Sequence, residues 1–377
     1  EGSEIVETRH SLYEVRRPEL IMVYREYTAG KGRITALGMS AREGKEERML
    51  VGTSTGRVFL HDPLGEVNDA LHENLVYKDA ESRSITSIGG FKEKSTNMDY
   101  FIFVQVRSYG VVILKDIAHQ PEEIDGVKTF FVEIRQILSD HHGFCPCRSL
   151  DRSVCIPSSD EFLLVLKDGH CESVRLKNKG APMCMDLLGE NPVVGSEDGV
   201  VAIYKRTCSK VNDPLELSRM KKVFDTPVFS LVVYQLDVIV GSVDEPIKVL
   251  NGETLEVKQK IPFPATGGAC GALAYSMIND AVSVRKDIHK IFVAGFWDGS
   301  IRIYRQLKDG RFVEKNVIES EREGGGSRST SSSLVWMMRD ELYSACEDGN
   351  LYSYEIFKTR RLTGHEREEY RRKEGVE

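Results

Sequence analysis

A formal net charge of −7 over 377 residues argues against nucleic acid or an acidic membrane as the main partner, because phosphate recognition needs concentrated Lys and Arg. The hydrophobic share of 41% is ordinary for a chain with a sizeable core, and no apolar run reaches the ~20 residues of a membrane helix. The eight cysteines mostly sit in apolar, strand-like runs, and residues 1–17 lack an apolar stretch of the signal-peptide kind, so reduced thiols in the cytoplasm or nucleus are expected.

In chain order, residues 1–19 read as an extension. Residues 20–27, with Ile21, Val23 and Tyr24, read as a strand that closes a sheet formed elsewhere. The next element is a strand over 34–39, and a turn at Thr55 and Gly56 follows it. A second unit has a strand over 85–90, a turn at Tyr109 and Gly110, and a charged outer strand over 129–136. The third unit is the least regular. With a turn at Asp160 and Glu161, residues 162–166 form its third strand and 171–176 its fourth; the alternative, with 162–166 second, leaves one strand missing.

The fourth unit is the clearest. A strand over 183–188 precedes an apolar run that ends in Gly195 and Ser196. Glu197-Asp198-Gly199 then turns into an alternating strand ending at Ile203 and Tyr204, and an outer strand spans 217–224. Asp-Gly between such strands is a strong hairpin signal, since Gly supplies positive φ without steric cost. The fifth unit has strands over 228–234 and 255–261 with a turn at Glu245 and Pro246. The sixth has strands over 269–275 and 312–318 around Phe296-Trp297-Asp298-Gly299. The seventh has a strand over 334–338 and a turn at Glu347-Asp348-Gly349. Seven hairpins spaced by roughly 40–55 residues match the period of a four-stranded propeller blade. The expected fold is therefore all-β, a seven-bladed β-propeller over 20–357 closed by an N-terminal strand, with a charged tail over 358–377. Lys358 to Arg361 are too charged to be preferred as the closing strand. In the tail, Glu368 with Arg372 and Glu369 with Lys373 have helix-supporting spacing.

In such a fold the turn between strands two and three shares a face with the link to the next blade. That face would carry Ser54 to Gly56, the turns at Glu197, Phe296 and Glu347, and the Gly/Ser-rich segment 321–333. The opposite face would carry 92–99, 119–127 and 277–287.

These hairpins resemble WD-repeat propellers across 20–356. In that family a Trp-Asp pair ends each third strand; here those strands end Ile303-Tyr304-Arg305, Ile203-Tyr204-Lys205 or His61-Asp62, and Trp297-Asp298 lies in a turn. Over 192–304, Thr226-Pro227-Val228-Phe229 and Gly241-Ser242 between the two clearest hairpins look like the G-protein β-subunit-like proteins that include the ASTRA-complex WD-repeat subunit. That resemblance implies an adaptor in the assembly of large kinases.

Candidate sites follow from residue type. His141-His142-Gly143-Phe144-Cys145-Pro146-Cys147, with Cys155, is the metal-like cluster, but a one-residue Cys gap does not suit zinc, and a loop entering a strand is the preferred reading. Thr266-Gly267-Gly268-Ala269-Cys270-Gly271 lacks the Lys and helix of a phosphate loop. Lys221 and Lys222, and Lys358 to Arg361, either meet an acidic partner or solvate the rim. Trp297 either anchors a partner or packs on the next blade; Trp336 reads as core. Asp198, Asp298 and Asp348 read as turn stabilisers. The partner-contact set is Phe296, Trp297, Asp298, Glu197, Asp198, Glu347 and Asp348. No catalytic residue, metal or cofactor is expected. The leading expectation is a non-catalytic protein–protein scaffold, a subunit or assembly adaptor of a multisubunit complex. The alternatives are a hydrolase with its site in the propeller channel and a reader of basic peptides.

Overall fold

The structure, a computed structural model, describes residues 3–7, 12–16, 27–28, 32–40, 48–61, 75–92, 100–116, 122–124, 127–129, 131–143, 145–150, 152–206, 215–243, 245–262, 270–275, 291–296, 300–307, 309–318, 331–336, 341–346, 350–355 and 358–361. Among these the chain is all β, with no helix.

The first strands are β1 (Ser3–Glu7), β2 (Leu12–Arg16) and β3 (Tyr27–Thr28). Sheet 1 is β4 (Ile34–Ser40), β5 (Arg48–Thr53), β6 (Arg57–His61) and β7 (Leu75–Lys78). Sheet 2 begins with β8 (Ile85–Lys92), β9 (Tyr100–Val106) and β10 (Gly110–Asp116). A separate hairpin, β11 (Glu122–Ile124) and β12 (Val127–Thr129), intervenes before β13 (Phe131–Leu138) completes that sheet. Sheet 3 is β14 (Arg148–Leu150), β15 (Ser153–Pro157), β16 (Phe162–Lys167) and β17 (His170–Arg175). Sheet 4 is β18 (Pro182–Leu188), β19 (Asn191–Ser196), β20 (Val200–Arg206) and β21 (Leu215–Lys222). Sheet 5 is β22 (Ser230–Tyr234), β23 (Asp237–Gly241), β24 (Ile247–Asn251) and β25 (Val257–Ile261). Sheet 6 is β26 (Cys270–Tyr275), β27 (Ile291–Phe296), β28 (Ile301–Gln306) and β29 (Phe312–Ile318). Sheet 7 is β30 (Ser331–Trp336), β31 (Glu341–Cys346) and β32 (Asn350–Glu355), with β3 beside β32. All seven of these sheets are four-stranded antiparallel meanders, sheet 7 borrowing its outer strand from the N-terminal part of the chain.

Apolar packing lies between the faces of successive sheets. One cluster joins Leu50 and Val58 of sheet 1 to Val104 and Val112 of sheet 2. Others join Phe103 to Val154, Val165 to Ala202, Ile203 to Val240, and Val249 to Phe292. A further cluster joins Tyr343 and Leu351 of sheet 7 to Ile34 and Phe59 of sheet 1. First strands touch in order, β4 on β8, then β14, β18, β22, β26 and β30, and β30 touches β4. Being buried on both faces, the middle strands read as near-continuous Val and Ile runs, as in β20 (VVAIYKR) and β23 (DVIVG).

A second regularity is invisible to periodicity. Thr35, Thr86, Met183, Gly271 and Ser332 are each an extra residue in the first strand, at the same place in their sheets. Val76, Ile134, Ser218, Lys258 and Lys315 are extra residues in fourth strands. Such bulges bend and twist a strand, and here they recur at matched positions.

Several expectations change. Residues 162–166 fall in the third strand of their sheet and 171–175 in the fourth, as preferred. Of the closing strand expected over 20–27, only Tyr27 lies in a described strand, paired with Leu351; the rest falls outside the described residues. The stretch 119–127, read as loop, contains β11. Residues 358–361, read as the start of a charged tail, form β33 (Lys358–Arg361), which pairs with β2 rather than with sheet 7. Backbone groups make that ladder, and its register sets Arg360 opposite Glu14, so apolar side chains are not a requirement. No helix among the described residues is long and apolar enough to cross a membrane.

Candidate partner-binding face

The turns between second and third strands and the links between sheets are bonded to one another. In sheet 1, Asp79 N donates to Gly56 O (2.8 Å); in sheet 4, Val223 N donates to Gly199 O (2.9 Å). Both glycines have positive φ, +75° and +76°. A Cβ at Gly199 would lie 2.1 Å from Phe224 O, and one at Gly56 would lie 2.8 Å from Arg83 O. The turn glycine is therefore needed twice, for its backbone angle and to admit the passing link. The same pattern continues with Arg107 N to Ser84 O, Ser139 N to Tyr109 O and Glu197 N to Ala181 O. Turns and links thus gather on one face.

Side chains lock the links. Buried Asp79 accepts from the N–H groups of Glu81 (3.1 Å) and Arg83 (2.8 Å), and its second oxygen is 2.7 Å from Arg83 Nη2. Burial opposes its ionisation, but the Arg83 guanidinium and these N–H donors outweigh it and hold the carboxyl below the usual range. The guanidinium lies over the Tyr109 ring at 4.0 Å, and Tyr109 Oη donates to Gln136 Oε1, which ties sheet 1's link to sheet 2's outer strand. Between sheets 4 and 5, Glu245 accepts from Asp225 N (3.0 Å) and from Lys248 Nζ (2.9 Å). Burial again opposes ionisation, and Lys248 with Asp225 N overcomes it. Lys248 also donates to Val223 O and covers the Phe224 ring.

Of the expected contact residues, Asp198 and Glu197 lie on this face. Asp198 Oδ1 accepts from Ser196 Oγ (2.6 Å), a bond that stabilises its own turn. Glu197 is anchored through its backbone and exposed through its side chain. Phe296 does not reach the surface: it is 1% exposed, packed in the cluster between sheets 5 and 6. Its position closes an apolar strand, and the sheet behind it takes the ring up. Trp297, Asp298, Glu347 and Asp348 fall outside the described residues, as does most of the Gly-rich segment 266–271.

The metal-like run has a different job. Cys145, Cys147 and Cys155 are fully buried free thiols, and desolvation pushes all three up, Cys155 to about 12. Gln105 Nε2 donates to Cys145 O (3.1 Å), while Cys147 N donates to Ser87 Oγ and Gln105 Oε1 (both 2.9 Å). The run is clamped by sheet 2 as it enters sheet 3. No group of three or more His, Cys, Asp or Glu is placed to hold a metal among the described residues.

The sequence did not single out the exposed apolar residues Leu75, Ile134, Leu138, Met220 and Val257, all on fourth strands. Alternation along an outer strand would have pointed to some of them; Ile134 is a bulge residue and escapes that signal.

No family model and no curated protein matches the chain. Among solved structures, the crystal structure of the computationally designed Ika8 protein, crystallised in P63, is similar, with a TM-score of 0.54 at 16% identity. The match covers 88% of this chain and 98% of that one, and at such identity it is a likeness of fold.

Proposed function

We propose that the seven sheets are blades of a closed β-propeller of the WD-repeat kind, sealed by β3, and that the ring is a non-catalytic protein–protein scaffold within a multisubunit complex. The order of first-strand contacts, returning from β30 to β4, supports closure. The observation that carries the functional reading is the bonding of turns to links across neighbouring sheets. A face fixed in this way loses little conformational entropy when a partner binds. Glu197 stands on it with a side chain exposed to a partner. The free thiols agree with a cytoplasmic or nuclear setting.

The test is purification of the tagged full chain with its co-purifying proteins, followed by reconstitution with the purified partner. A stoichiometric complex is expected, weakened about tenfold by Glu197→Arg or by Trp297→Ala. A chain that forms no stoichiometric complex, or a complex indifferent to both substitutions, overturns the reading.

A further inference from the structure

Strands β21 (LELSRMKK) and β25 (VKQKI) together carry five cations, Arg219, Lys221, Lys222, Lys258 and Lys260, and one carboxylate, Glu216. The whole chain is net negative, at −7. Directly opposed residues of an antiparallel pair share a side of the sheet. Arg219 is opposite Ile203 and Lys221 opposite Val201, both in the core between sheets 4 and 5, so these two cations lean towards sheet 5. From the other wall, Val257 is opposite Leu250 of that core, and Lys260 is opposite Lys248, whose ammonium covers Phe224. The rim groove between the two sheets is therefore lined by Arg219, Lys221, Val257 and Lys260. Lys221 Nζ spans it to Glu256 Oε2 at 2.8 Å. Val257, 38% exposed, adds apolar surface beside these charges, while Met220, 49% exposed, is opposite Ala202 of the core between sheets 3 and 4 and so stands on the other side of β21. No described strand pairs with the outer edge of β21.

An open strand edge offers N–H and C=O groups to a further strand, and side chains beside it set which segment fits. Lysines on an edge also deter stray pairing, but a half-exposed Met between Arg219 and Lys221 works against deterrence. A nucleic-acid site would concentrate cations without the interspersed carboxylates Glu216 and Glu256. We propose that an acidic, extended segment of a partner protein adds as a strand to the edge of β21, its carboxylates meeting Arg219, Lys221 and Lys260 on the groove side and its apolar residues meeting Met220 on the other side. This rests on the scaffold reading above and names the chemistry of one partner.

The experiment is fluorescence anisotropy of the full chain with a fluorescein-labelled peptide of alternating Glu and Val. Saturable binding is expected, weakened about tenfold by Arg219→Glu with Lys221→Glu, and weakened again by N-methylation of alternate peptide residues. Lys260→Glu, on the other wall, should weaken binding without altering β21; circular dichroism and melting establish that each variant folds. Equal binding by the variants, equal binding of the N-methylated peptide, or displacement of the peptide by single-stranded DNA overturns the proposal. A peptide that fails to bind while the Glu197-sensitive complex still forms removes the rim site alone and leaves the scaffold reading standing.

Discussion

His141 is a buried imidazole with neither ring nitrogen hydrogen-bonded, in the link that leads from sheet 2 to sheet 3. Burial holds its pKa below the ordinary value; the Asp160 carboxylate, 3.9 Å away, opposes that, and His142 reinforces it. The native state therefore keeps this ring neutral, while the unfolded chain protonates it near the ordinary histidine value. A depressed folded pKa contributes stability that is present above the unfolded value, 6.5, and is lost as pH falls through the folded one. His141→Leu removes both the titration and the orphaned nitrogens. Denaturant melts should show the variant equal to the wild type, or about 1 kcal/mol more stable, at neutral pH, with its advantage widening as pH is lowered. A constant difference across that range would mean that His141 does not titrate on unfolding. The contrast with Asp79 is instructive: it is also buried, but its donors lie within reach and it stays charged.

At the scale of elements, β3 is short but its position matters. Tyr27 and Thr28 pair with Leu351 and Asn350 and cover the outer edge of β32. Deleting residues 1–28 should lower the melting temperature by about 5 °C or more and cause concentration-dependent association through the exposed edge. Unchanged melting and a monomeric deletion variant would show that this pairing contributes nothing. The middle strands were legible in the sequence because they are buried on both sides and rich in Val and Ile, and the turn at Glu197-Asp198-Gly199 was legible because positive φ demands Gly. The fourth strands were harder. β7 (LVYK) has no apolar period of its own and was not read as a strand, whereas the outer strand expected over 129–136 is β13 (Phe131–Leu138), shifted by two residues, with the extra residue Ile134 breaking its alternation. The links were illegible for another reason. Asp79 with Arg83 and Glu245 with Lys248 are four and three residues apart, a spacing that announces a pair only on a helix, and Gln105 reaches the run around Cys145 from 40 residues away. Phe296 shows the opposite error: a turn-adjacent aromatic was read as surface, and the neighbouring sheet buries it.

At the scale of the molecule, the proposed ring requires each sheet to bury both faces against its neighbours. Tyr343, Ala345 and Leu351 of sheet 7 share a core with Ile34, Met49 and Val51 of sheet 1, as any two successive sheets along the chain would. The proposed closed ring would leave no unpaired sheet face and would fix the turns of all seven sheets relative to one another, as a presenting surface needs. The most direct test is an experimental structure of the full chain by crystallography or electron cryomicroscopy. Seven four-stranded sheets around one axis, with β30 against β4 and β3 on β32, is the predicted result. An open gap between the last sheet and the first, or sheets stacked in a line without a common axis, would contradict it.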